Sequence, residues 1–216
     1  MIKNFCDFLD EIATQQLRNT AATNESQNGN IMPEYQEHLL KIANQGLIDL
    51  TSKKKIFEET KTLTFVADQN VYPLDVTAGM DYENLVKVFE IVTSDERRHT
   101  PKNSVHIMQP NPETLRFSDA FMECHGPTVD IRFQVHHPIL ADIDADMNLP
   151  SHLYEVLQLY VAGLYLTHMG GEEHKARGDS YYGMYLKKCV DDTIDNLSST
   201  SEVTDEDTRF YDRGFV

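Results

Sequence analysis

From the amino end, apolar residues return at three- and four-residue steps: Ile2, Phe5, Cys6, Leu9, Ile12, Ala13 and Leu17 line one face of a helix predicted over 2–18. The stretch from Asn19 to Asn30 has no such period, and its Thr, Asn, Ser and Gly side chains compete with the backbone for hydrogen bonds, so it reads as a loop. Pro33 suits a first helical turn, Glu34 and Glu37 suit its positive end, and Tyr35, Leu39, Ile42, Ala43, Leu47 and Leu50 form a stripe. A second helix is predicted over 33–52.

After Lys53, Lys54 and Lys55 the period falls to two. Leu63, Phe65 and Ala67 alternate with Thr62, Thr64 and Val66, and Val71-Tyr72-Pro73-Leu74 follows the turn at Asp68-Gln69-Asn70. Further β-branched runs lie at Leu85 to Val92, Ser104 to Met108 and Leu115 to Phe117. The clearest spans Thr128 to Val135, where Val129, Ile131, Phe133 and Val135 face one way and Asp130, Arg132 and Gln134 the other. That pattern predicts an antiparallel sheet with one wet side.

Helical periodicity returns at Pro150. Leu153, Val156, Leu157, Tyr160, Val161, Leu164 and Tyr165 form the broadest apolar face of the chain, which stops at Gly170-Gly171. Glu172 and Glu173 open a further helix through Met184, Tyr185, Leu186, Cys189, Val190, Ile194 and Leu197, so close to the last that the two must form an antiparallel hairpin. The expected fold is α+β: a four-helix bundle over 2–18, 33–52, 150–169 and 172–197, an inserted antiparallel β region over about 60–137, and an extended tail. The expected divisions are 1–57, 58–140, 141–197 and 198–216.

Charge narrows the partners. Nineteen Lys and Arg against 35 Asp and Glu leave a formal charge of −16, which repels a nucleic-acid backbone. The two basic runs, Lys53 to Lys55 and Arg97-Arg98-His99 with Lys102, lack the interleaved aromatics of a single-strand groove. Three cysteines, Cys6, Cys124 and Cys189, are too far apart for a metal or redox pair and read as buried thiols in a reducing compartment. The first residues do not suit a signal peptide, and no run reaches the length of a membrane span.

Candidate chemistry is sparse. Asp142, Asp144 and Asp146 have the alternate spacing of a calcium loop, but Met147 stands where the loop needs Gly and Leu153 where it needs a bidentate acid. His168, Glu172, Glu173 and His174 straddle a helix end, and His136 and His137 are adjacent strand residues that point to opposite faces. No nucleophile elbow, phosphate loop or cysteine motif is present. The expectation is no catalytic, cofactor or metal residue and no cofactor, with a small metal-dependent hydrolase using the Asp142 or His168 cluster as the distant alternative.

Two sets of residues point to partners instead. Tyr181, Tyr182 and Tyr185 crowd the last helix, where an amphipathic ring suits a core edge or a subunit interface. The tail from Ser198 is acidic and without period until Arg209, Phe210, Tyr211, Arg213 and Phe215, residues that suit a pocket or strand edge on another chain.

In order, the elements resemble the head-to-tail adaptor (connector, head completion or neck) proteins of tailed, particularly short-tailed, bacteriophages. The resemblance rests on the helix ending Ala43-Asn44-Gln45-Gly46-Leu47-Ile48-Asp49-Leu50, the run Phe57 to Phe65, Val71-Tyr72-Pro73-Leu74, Pro112 to Phe117, Val129 to Pro138, and the hairpin from Leu149 through Gly170-Gly171 to Ala176. It implies a virion protein assembled in the host cytoplasm as a homo-oligomeric ring, generally of twelve copies. Such a ring docks beneath the portal protein of the filled head and meets tail or nozzle proteins, while DNA passes through its channel without specific binding. A tail completion or terminator protein of the same particle is the alternative.

Overall fold

The computed structural model describes residues 2–23, 30–74, 85–102, 104–111, 113–194 and 199–200. Its first helix, α1 (Phe5–Thr14), starts three residues later than the apolar spacing predicts. Asn4 is the reason: its side chain accepts the Cys6 N–H at 2.8 Å and caps the helix. Ile2–Asn4 is extended instead as β1 and pairs antiparallel with β10 (Asp146–Asn148). Phe5, Phe8, Leu9, Ile12 and Ala13 form the buried face of α1, and Leu17 is buried from the turn beyond its end.

Helix α2 (Pro33–Lys53) opens with Pro in its first turn and buries Leu39, Ile42, Ala43, Gly46, Leu47 and Leu50. It runs into the two-residue strand β2 (Lys54–Lys55). Helix α4 (Ser151–Met169) is the most enclosed element, with 12 of its 19 residues buried. It ends at Gly170 and Gly171, whose φ values of 77° and 83° lie in the left-handed region where a Cβ is strained. Helix α5 (Glu172–Ile194) then returns along α4, and the two-residue strand β11 (Ser199–Thr200) follows the undescribed residues 195–198.

The chain divides into two units. One is helical, made of residues 1–57 and 135–199; the other, over Glu58–Gln134, is mainly β. In the helical unit α4 meets α5 almost backbone to backbone. A Cβ at Gly163 would lie 3.0 Å from the Tyr182 nitrogen, and one at Gly178 would lie 2.6 Å from Thr167 Oγ1 and 2.8 Å from the Gly163 carbonyl oxygen. On the other side of α4, a Cβ at Gly46 would strike Leu157 and Tyr160 at 2.7 Å. Asn44 clamps the segment leading back into this unit, donating to the Leu140 carbonyl at 3.1 Å and accepting its N–H at 2.9 Å.

The β unit holds two sheets. One has the order β3 (Phe57–Thr64), β9 (Thr128–Val135), β5 (Leu85–Thr93), β6 (Arg98–His99); the other has β4 (Val71–Pro73), β8 (Thr114–Phe117), β7 (Ile107–Asn111). Val129, Ile131, Phe133 and Val135 are buried, while Asp130 and Arg132 meet Thr62 of β3 at 2.7 Å and Glu90 of β5 at 2.9 Å on the other face. Gln134 departs from the alternation and is buried as well. Between β8 and β9 lies α3 (Asp119–His125), capped by Ser118, whose hydroxyl accepts the Phe121 N–H at 3.2 Å, and stopped by Gly126 at φ 84°. Phe121 joins Phe65, Tyr72 and Phe117 in an aromatic core with ring centroids 5.0–6.4 Å apart.

Among the described residues, five helices and three antiparallel sheets, with the two-residue strands β2 and β11 paired besides, therefore replace the expected four-helix bundle with a small β insert. Two features account for the difference. The helix α3 is short enough to leave almost no periodic signal, and the first and tenth strands form a small sheet of their own within the helical unit.

The glycine contacts are directly testable. Gly178→Ala forces backbone against backbone and should lower stability by about 1–3 kcal/mol. Gly183→Ala, in the same helix but with no heavy atom within 4 Å of its added Cβ, should raise it by about 0.5–1 kcal/mol. Urea unfolding of the two variants beside the parent chain, in solution dilute enough that no contact between copies contributes, checks both signs.

Candidate functional site

The tyrosines of α5 go to different places. Tyr185 is wholly buried. Its ring packs against Tyr160 at 5.1 Å and Tyr182 at 5.7 Å, and the Lys53 ammonium sits 4.9 Å above it. Its hydroxyl donates to Asp49, which also accepts from Lys53 at 2.6 Å. Tyr185 is thus enclosed by its own chain and offers no ring to a second subunit. Tyr181 and Tyr182 are only partly exposed.

This arrangement bonds and packs but does not react. Burial, reinforced by the bond to Asp49, pushes the Tyr185 phenol far above the ordinary tyrosine range, so it stays protonated. The same burial raises the Cys189 thiol, the one cysteine that is buried as expected; Cys6 is half-buried and Cys124, at the surface of α3, is exposed. What remains is a neutral hydroxyl joining α5 to a carboxylate on α2, with a lysine closing the other side.

A second polar centre sits where β9 leaves its sheet. His137 is buried; its Nδ1–H donates to the Pro138 carbonyl at 2.6 Å, and its Nε2 accepts the Asn148 N–H of β10 at 3.1 Å. Those two bonds fix one neutral tautomer. Burial holds the pKa below the ordinary histidine value, against a smaller upward pull from the Pro138 carbonyl. His136, on the opposite face, bonds through Nδ1 to the Thr51 hydroxyl of α2 at 2.9 Å. The two rings hold different partners and do not converge.

In the β unit two histidines meet polar partners: His106 Nδ1 lies 3.0 Å from the Ser118 hydroxyl, which also caps α3, and His125 lies 3.3 Å from Asp95. The Thr93 hydroxyl, foremost, holds the Asp95 carboxyl below its usual range, and Arg97 pairs with it at 2.9 Å. The one other close hydroxyl, Ser94, donates to the His125 backbone carbonyl at 2.8 Å, so neither hydroxyl is presented to the imidazole as a nucleophile. The pair ties the last residue of α3 to the turn after β5. Nothing in the spacing of residues 93–125 announced it.

The remaining sequence candidates separate in the same way. Asp142 accepts the Asp144 N–H at 3.0 Å, the Asp144 carbonyl accepts from Asn4 at 2.7 Å, and Asp146 lies in β10 opposite Asn4. His168 stacks near His38 at 6.0 Å, across the glycine turn from Glu172, Glu173 and His174. Among the described residues no group of three His, Cys, Asp or Glu is placed to hold a metal ion, and no helix is long and apolar enough to cross a membrane. Arg209, Phe210, Tyr211, Arg213 and Phe215 lie outside the described residues.

Two measurements bear on these locks. Tyr185→Phe keeps the ring and deletes the bond to Asp49; because Asp49 retains Lys53 and reaches water, the loss should be about 1–2 kcal/mol by urea unfolding. For His137, the unfolded chain binds the proton more tightly than the folded one. Its contribution is complete above pH 6.5 and is lost as the pH falls below that value toward the depressed folded pKa. The urea midpoint should therefore drop between pH 7.5 and pH 5, and His137→Gln should flatten that slope.

No protein-family model and no curated protein matches this chain.

Proposed function

We propose that the chain is a structural subunit of the joint between head and tail in a tailed bacteriophage, an adaptor that forms a ring under the portal and presents a surface to the tail or nozzle. The observation that carries this reading is where the chain keeps its reactive side chains. Tyr185, Cys189 and His137 are buried and occupied in joining elements, while the charge of −16 is left for the surface. A molecule so arranged positions other molecules; it does not transform them. An acidic wall lets DNA slide past without adhering, because like charge opposes counter-ion release and contact.

The tail residues Arg209, Phe210, Tyr211, Arg213 and Phe215 supply the grip in this proposal. Repeated around a ring of about twelve copies, weak single contacts add up to a tight joint through effective concentration. The rest of the fold is a rigid mount for them.

Two experiments test the reading. Truncation after Leu197 should leave a folded subunit, by circular dichroism and urea midpoint, that no longer co-sediments with purified portal rings; undiminished co-sedimentation overturns the docking role. Full-length chain that co-purifies with tails and not with portal rings assigns it to tail completion instead. Asp142→Asn with Asp144→Asn should leave assembly unchanged, and stoichiometric metal in the purified parent chain contradicts a purely structural subunit.

A further inference from the structure

Helix α5 carries two stripes at helical spacing. The inner one, Gly178, Tyr182, Tyr185 and Cys189, faces α4 and the core. The outer one, Ala176, Asp179, Gly183, Leu186 and Val190 with Lys187 beside it, is exposed throughout. A surface helix ordinarily shows charge on that face. Here Leu186 is 42% exposed and Val190 59%.

Among the described residues nothing packs against Gly183 at the centre. Gly163 and Gly178 are held by backbone contacts in which a Cβ has no space, whereas a Cβ on Gly183 meets nothing within 4 Å. A glycine in mid-helix weakens the helix relative to alanine, so its presence among exposed apolar residues matches a surface that another backbone approaches closely.

The charges name the occupant. Asp179 and Lys187 lie four residues before and after Gly183, eight apart, and two turns separate them along their own helix. A two-fold axis at Gly183, perpendicular to the helix axis, turns the mate antiparallel and brings its position 179 level with position 187 of the first copy. It places Asp179 of each helix against Lys187 of its mate, Ala176 against Val190, and Gly183 against Gly183. The small residue meets the larger one, the acid meets the base, and the crossing point is the one position without a side chain.

We infer that the outer face of α5 binds a second copy of this chain, antiparallel and two-fold about Gly183. The contact is self-complementary and closes after two copies, so it is separate from the ring contact and from docking to a portal. It joins subunits in pairs before or between rings.

Sedimentation velocity on the full-length chain, with Asp179→Lys, Lys187→Asp and the double variant, tests it. The parent chain should be dimeric at micromolar concentration, and each single reversal should weaken the dimer by about tenfold or more, since like charges then face each other. The double reversal should restore it to within about threefold of the parent, because only an antiparallel two-fold contact brings position 179 against position 187. Circular dichroism and thermal midpoints confirm that each variant is folded. A monomeric parent, larger assemblies indifferent to both single reversals, or a double variant as weak as the singles each overturn the inference. The portal co-sedimentation of the parent chain is a separate readout, so loss of this contact and failure of the adaptor reading are told apart.

Discussion

The helical unit depends on one approach that no side chain makes. Where α4 meets α5, Gly163 and Gly178 face each other, and the space for a Cβ is filled by the opposing backbone. With the axes this close, the rings of Tyr160, Tyr182 and Tyr185 reach across the hairpin and Tyr185 touches Asp49 on α2. Gly46 repeats the device on the other side of α4, so three helices pack as tightly as their backbones allow. Apolar area drives the burial, but the glycines choose which packing is reached.

Polar groups then make that packing specific. Gln158 of α4, buried, donates to Glu11 of α1 at 2.8 Å, and Lys3 of β1 pairs with the same carboxylate. Tyr154 donates to the Met147 carbonyl at 2.6 Å, and His137 accepts from Asn148. The Gln158–Glu11 bond joins helices far apart in sequence, and the others tie neighbouring segments to the strands of the short β1–β10 ladder. A buried polar atom without its partner is expensive, so such bonds reject alternative packings more than they add stability to the native one.

How much of this could be read from residues alone depended on how long each signal lasts. The alternation over Thr128 to Val135 and the apolar breadth of Leu153 to Tyr165 persist for whole elements, and β9 and α4 follow them. The segment Ser118 to Gly126 has its cap and its stop but only seven helical residues between them, too few for a period. At the amino end the apolar spacing runs on through Ile2, and only the cap at Asn4 and the distant partner strand Asp146–Asn148 make Ile2–Asn4 extended. Tyr185 shows a different limit. A tyrosine among tyrosines suits a core or an interface equally, and the choice is made by glycines on a neighbouring helix. The paired positions 179 and 187 have the opposite character: their spacing is plain in the chain, but their meaning depends on knowing which face of α5 is already occupied.

The β unit leaves and rejoins the helical unit along adjacent strands, with Thr62 bonded to Asp130 and the Phe65 N–H bonded to the Pro127 carbonyl. Continued back along the same ladder, that register sets Phe57 beside Val135. An insertion whose two ends lie side by side asks almost no loop closure of its host. Residues 58–134 are thus a graft on a hairpin stem, free to lengthen, shrink or be exchanged over evolutionary time while the helical unit keeps its own packing.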